Sequence, residues 1–145
     1  MKLVIQRVKK ATVTVDNSIT GSIDKGLLIL IGVHQDDTAE TADYLVGKCS
    51  ELRIFPDQND KMNLSLKDID GEALVVSQFT LFADCTKGRR PNFTSAADPE
   101  KGNQLYNYFV KKLSNEIRKV ETGIFGANMQ VELINDGPVT LILEK

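Results

Sequence analysis

A chain of 145 residues with 41% hydrophobic and 26% charged residues has the make-up of an ordinary folded domain, which excludes a disordered tail, a fibrous repeat and a disulfide-stapled miniature. Its length suits one domain over residues 1–145, large enough to bury roughly 70% of the unfolded chain's surface. The net charge of −2 argues against a uniformly basic nucleic-acid binder but leaves room for a local basic face.

In chain order, Val8, Ala11, Val13 and Val15 alternate with Thr12 and Thr14, the period-two pattern of a half-buried strand. Asp16-Asn17-Ser18 supplies turn chemistry. Gly26 to Val33 is almost continuously apolar and predicts a strand covered on both faces. Asp37 to Leu52 predicts a helix with Asp37 and Glu40 as its capping box, and Ala42, Leu45, Val46, Cys49 and Leu52 on one face. Arg53-Ile54-Phe55 predicts a short strand stopped by Pro56, and residues 57–61 a polar turn. Ala73 to Phe82 predicts a second long apolar strand, followed by a loop from Lys87 to Ala97.

Asp98 is placed to cap a helix with Pro99 at its first position. Leu105, Phe109, Leu113, Ile117 and Val120 carry the apolar stripe of that helix to an end near Gly123. Met129, Val131 and Leu133 alternate on another strand, Asp136-Gly137-Pro138 breaks it, and Val139 to Leu143 form the last one. The expected fold is a β-rich α/β domain with two helices packed on sheet.

Cys49 and Cys85 accompany a single histidine, His34, with no Cys-x-x-Cys, so no zinc set is expected and both cysteines read as free thiols of a reducing compartment. No apolar run approaches ~18 residues, so no membrane span is expected. The apolar stretch after Met1 is too short for a signal peptide, which makes the expected location cytoplasmic.

Two segments stand out from these patterns. Ser77-Gln78-Phe79-Thr80-Leu81 ends a buried apolar strand with polar side chains, and Asn135-Asp136-Gly137-Pro138-Val139-Thr140 interrupts strand-forming sequence with Gly-Pro. Alone, the first is a strand end and the second a turn. Thr80 lacks the neighbouring base that a hydroxyl nucleophile needs, since His34 follows a different strand beside Gln35-Asp36-Asp37.

Together the two segments resemble the signature motifs of the D-aminoacyl-tRNA deacylases. The likeness extends to Gln6-Arg7-Val8, Arg53 to Leu64, the Gly88-x-Arg90-Pro91-x-Phe93 loop and Met129 to Thr140. It implies the deacylase fold, a homodimer, and hydrolysis of the ester between tRNA and a D-amino acid or glycine, with no cofactor and no metal. It further implies that Gly137-Pro138 is a cis pair that reaches into the partner subunit's site and blocks L-residues with rigid backbone. Ser77, Gln78, Phe79 and Thr80 would bind and orient the ester, largely through main-chain groups, with the vicinal ribose hydroxyl helping to activate or orient water.

Phe125, Ala127 and Met129 would help hold the 3′-terminal adenosine, as base–aromatic contacts commonly do. Arg90 would stand near the active site. Lys111, Lys112, Arg118 and Lys119, read as one face of the long helix, would meet tRNA phosphates or simply solubilise the surface. The expected partners are aminoacyl-tRNA and a second copy of the chain, with neither DNA nor membrane. Three other readings stay open from the residues: a non-catalytic RNA-binding module, a related deacylase branch with a trans peptide that admits certain L-residues, and a triad hydrolase. The Ser-Gln-Phe-Thr form of the first motif favours the D-specific branch, and the single histidine disfavours the triad.

Overall fold

Alternation within two apolar strands sorts the core into two layers. The computed structural model describes all residues 1–145 and places β1 at Lys2–Val15, β2 at Ser18–Ile23 and β3 at Gly26–Gly32. Helix α1 follows at Ala39–Glu51, then β4 (Phe55–Pro56), β5 (Met62–Leu64) and β6 (Glu72–Ser77). A 3-10 turn at Phe79–Phe82 leads to α2 (Pro99–Ser114), β7 (Lys119–Thr122) and β8 (Gln130–Glu144). The main sheet runs β2-β1-β3-β6-β7, with β8 on β1. Strand β6 is parallel to β3 and β7, while β1 is antiparallel to β2, β3 and β8.

Leu27, Ile29, Ile31, Ala73 and Val75 face the helices and pack with Leu45, Cys49, Leu105, Phe109 and Leu113. Leu28, Leu74 and Val76 face the other way, onto Val8, Val13 and Ile23. There the sheet curls until β2 nears β7, so closely that a Cβ on Gly21 would lie 2.6 Å from the Thr122 carbonyl oxygen. Burial of Cys49 pushes its thiol up to about 12, as suits a core residue rather than a reactive one.

The β-rich, two-helix architecture is the expected one, but several boundaries move. Strand β1 begins at Lys2, and β2, β5 and β7 are additional. Helix α1 is capped by Thr38, whose N–H donates to Thr41 Oγ1 at 3.4 Å, not by Asp37 and Glu40. The Asp37 carboxylate instead accepts from the Met1 amino group and from the His34 N–H at 2.6 Å.

Helix α2 stops at Ser114 rather than near Gly123. Ile117 and Val120 reach the core from a turn and from β7, because residues 119–122 find strand partners on β6. Strand β6 ends at Ser77: the Gln78 N–H makes a last bond to the Ile31 carbonyl at 2.8 Å, and the chain then turns. Strand β8 continues through Gly137-Pro138 instead of breaking there, absorbing the pair as register shifts against β1 around Val8. No helix is long and apolar enough to cross a membrane.

Candidate active site

The end of β6 and the segment before β8 meet at one place. A cleft of about 260 Å³ is lined by Ser77, Gln78 and Phe79 together with Phe125, Ala127 and Met129. A neighbouring cleft of about 380 Å³ shares Ser77, Gln78, Phe79, Phe125 and Gly126 and continues between Phe93, Ala96, Ala97 and Tyr106. Ser77, Gln78 and Phe79, predicted to hold an ester, and the residues predicted to hold an adenosine, some 48 positions on in the chain, are therefore contiguous, whereas Thr80 lines neither cleft. Parallel pairing of β6 with β7 delivers both segments to the same end of the sheet.

The cleft walls are apolar and rigidly built. Phe79, 58% exposed, meets Phe93 edge-on with ring centroids 5.1 Å apart. Tyr106 is buried, packs on Phe125 at 5.9 Å, and donates its hydroxyl to the Val75 carbonyl at 2.9 Å. Burial pushes that hydroxyl up to about 12, so it is no proton acceptor near neutrality. No carboxylate, histidine, lysine or cysteine lines either cleft. Thr80 is exposed on the turn and its hydroxyl accepts a bond from the Gln78 side-chain amide. His34 lies beside Phe82, with ring centroids 5.2 Å apart, and its Nδ1 accepts from the Asp36 N–H.

Gly137 and Pro138 line neither cleft of their own chain. Both are exposed and the peptide between them is cis. Their support comes from Arg7, which is only 8% exposed: Nε donates to the Asp136 carbonyl at 3.0 Å and Nη1 to the Ile54 carbonyl at 2.5 Å. A Cβ on Gly137 would sit 3.0 Å from Arg7 Nη2 and 2.9 Å from Val139 Cγ2, on a φ of +132° that side-chain-bearing residues avoid. Asn135 closes the other side, accepting from the Val139 N–H at 2.9 Å and donating to Thr140 Oγ1 at 3.0 Å.

The chain matches the family model described as D-Tyr-tRNA(Tyr) deacylase over residues 4–144. The chain belongs to that family. It is 60% identical to a D-aminoacyl-tRNA deacylase of Caldicellulosiruptor saccharolyticus over 99% of its length and 97% of the relative's. It is 58% identical, over the same shares, to a D-aminoacyl-tRNA deacylase of Clostridioides difficile. Among solved structures, one named c-Myc DNA Unwinding Element Binding Protein superposes with a TM-score of 0.95 at 40% identity, covering 100% of this chain and 99% of that one. Another, described as "Structural Analysis of a probable eukaryotic D-amino acid tRNA deacylase", gives 0.85 at 18% identity over 98% and 97%, a likeness of fold alone. Membership bears out the family resemblance and the expectation of an enzyme of the deacylase class.

One expectation is corrected. Lys111, Lys112, Arg118 and Lys119 do not share a helix face, because the helix ends at Ser114. Lys112 is paired with Asp43 at 3.1 Å, Arg118 with Asp70 at 3.2 Å, and Lys119 with Glu72 at 3.1 Å. Arg90 is exposed and takes part in none of the chain's ion pairs. Arg7 is the buried cation beside the Gly137 segment that pattern reading passed over. It shares inward parity with Leu3 and Ile5, and a charge at an inward strand position was the signal.

Proposed function

We propose that this protein, as a single domain over residues 1–145, hydrolyses the ester joining a D-amino acid or glycine to the 3′ end of tRNA. The products are free tRNA and the amino acid. The observation that carries the reading is the meeting of Ser77, Gln78 and Phe79 with Phe125, Ala127 and Met129 in one cleft of a chain from this family. The curated relatives of similar length bear the corresponding name.

The make-up of the cleft supports catalysis by positioning rather than by a side-chain base. With no titratable group at its surface except a committed tyrosine, the work falls to main-chain donors and to the substrate's own vicinal hydroxyl. Phe79 and Thr80 open the 3-10 turn, where the first amides have no carbonyl partner within the turn and are free to face an oxyanion. In this reading Phe125 and Met129 pack on the terminal adenine.

The L-ester is rejected, in this proposal, by Gly137-Pro138 of a second subunit. Three features favour a homodimer built along β8. The strand pairs only with β1, leaving its outer edge open over 15 residues. Ile134 and Ile142 stand exposed on it. The supported Gly137-Pro138 segment is exposed and lines neither cleft of its own chain, which favours its use by another copy's cleft. A backbone wall held by Arg7 cannot yield to a side chain, whereas the α-hydrogen of a D-residue or glycine passes.

The test is hydrolysis of D-tyrosyl-tRNA, L-tyrosyl-tRNA and glycyl-tRNA by purified protein, with a chelator present. Loss of the D- and glycyl esters with the L-ester intact is the expected result. Hydrolysis of the L-ester removes the filter from the proposal. Retained tRNA binding with no hydrolysis at all replaces the enzyme by a binding module.

A further inference from the structure

We infer that the loop tip Lys87-Gly88-Arg89-Arg90 grips the sugar-phosphate backbone of the tRNA acceptor end while the cleft holds its terminal nucleoside. The inference rests on the substrate proposed above. It reverses the expectation that basic groups around the long helix would do this.

The argument starts from which cations are free. On a chain of net charge −2 the surface as a whole repels RNA, so attraction must come from a local excess. Of the four cations expected to supply it around α2, Lys112, Arg118 and Lys119 are engaged by the Asp43, Asp70 and Glu72 carboxylates, which leaves Lys111 alone of the four outside the chain's ion pairs. Lys87, Arg89 and Arg90 are all exposed, lie within four positions and take part in none of the chain's ion pairs. The acid at the loop base, Asp84, is exposed and its carboxylate accepts from the Thr86 N–H at 2.9 Å, so one negative charge stands beside three cations.

The loop is also aimed. Asp84 and Asn92 exchange backbone hydrogen bonds of 2.7 and 2.9 Å, which closes its base. Gly88 turns the tip at a φ of +73°, with open space around it. Phe93, just past the base, meets Phe79 edge-on at the cleft wall. From Phe93 to Arg89 the backbone spans at most about 14 Å, so a strand whose last base enters the cleft passes its next phosphates by this tip. Such contacts position the RNA and read no sequence.

The test compares Lys87→Gln/Arg89→Gln with Lys112→Gln/Arg118→Gln. Binding of uncharged tRNA and kcat/KM for D-tyrosyl-tRNA are each measured against salt, with 3′-O-D-tyrosyl-adenosine as a substrate lacking the neighbouring phosphates. For the loop variant the log–log salt slope should shrink by about 1.4 to 1.8, the value for two lost phosphate contacts. Its preference for the tRNA ester over the adenosine ester should fall at least about fivefold at low salt, and that ratio cancels any change in the cleft itself. The helix-region variant should keep the wild-type slope.

An unchanged slope in the loop variant, with its melting temperature intact, overturns the inference while leaving deacylation standing. A reduced binding slope in a protein that hydrolyses no ester does the opposite. If the double variant melts early, Arg89→Gln alone is read the same way, with half the slope change expected.

Discussion

Replacing Arg7 by Met should separate the structural from the selective role of the second motif. Methionine keeps a long apolar stem at a position that is 8% exposed, so packing is largely preserved while the guanidinium is lost. The Ile54 carbonyl loses its 2.5 Å donor next to a residue that is itself buried, where water cannot replace it. The Asp136 carbonyl loses a 3.0 Å donor, but its side chain is 29% exposed and the local backbone can rehydrate. A stranded buried acceptor costs about 1–3 kcal/mol, and a bond from a charged donor contributes somewhat more than a neutral one. The net expectation is a loss of about 3 kcal/mol, which for a chain of this size lowers Tm by roughly 6–12 °C. Urea and thermal unfolding read it directly. Arg7→Lys keeps the charge but not the two-pronged reach, and should recover less than about half. Because Arg7 Nη2 stands behind Gly137, the surviving Met variant should also discriminate less well between L- and D-tyrosyl-tRNA. A Met variant that unfolds within about 1 °C of the parent, or a Lys variant equal to it, refutes the view that a forked donor holds the motif.

Thr80→Ala should keep kcat/KM for the D-ester within about tenfold, since no base activates the hydroxyl; a loss of several orders with the melting temperature intact would make it the reacting group. Gly102→Ala should add up to about 1 kcal/mol of helix stability while raising KM a few-fold, because the new Cβ lies 3.3 Å from the Phe125 ring, and an unchanged KM would mean that Phe125 does not shape the binding surface. Glu72 is raised by burial, but bonds from the Asp24 N–H and Lys119 and the nearby Arg118 charge outweigh it and hold the carboxyl below its usual range. Its folded pKa being depressed, its contribution is present above the unfolded value and lost as pH falls through the folded one. Glu72→Gln should therefore cost about 1–3 kcal/mol at neutral pH and flatten the acid side of the stability curve, which unfolding at a series of pH values from neutral downward will show.

Much of the fold was legible because burial wrote it in continuous apolar runs. Leu27 to Ile31 and Ala73 to Val76 read as strands covered on both faces, and they are the strands between the two core layers. What misled was local pattern overruled by distant pairing. Asp16-Asn17-Ser18 reads as a turn and the pattern predicts no strand after it, yet Ser18 to Ile23 pairs with β1, and Gly21 there lets the sheet curl close to Thr122. Ile117 and Val120 fall at helical spacing from Leu113, but Lys119 to Thr122 finds hydrogen-bond partners along β6 that a continued helix could not reach. Successive spacings of four and three from Leu113 fit a helix and not an alternation of two, so the local pattern favours the helix and only pairing with β6 overrules it.

The site was legible in a different way. Ser77 to Phe79 and Phe125 to Met129 are marked by polar or glycine-containing interruptions of apolar sequence, and their meeting in one cleft follows from the parallel pairing of β6 and β7. Charge was where linear reading failed. Lys112, Arg118 and Lys119 looked like a free cationic face because their partners, Asp43, Asp70 and Glu72, lie 47 to 69 positions upstream. Lys87, Arg89 and Arg90 looked like an ordinary connection, and stand out only once those other cations are seen to be engaged. Arg7 carries the same lesson with opposite sign: a cation at inward parity on a strand had to find acceptors inside the fold. Those it found are carbonyls of the segments flanking Ile54 and Gly137. A cation's role in this chain is therefore set by whether an acceptor lies within reach after folding. Lys87, Arg89 and Arg90, clustered in one loop and without one, are those whose removal should change how the protein meets a polyanion.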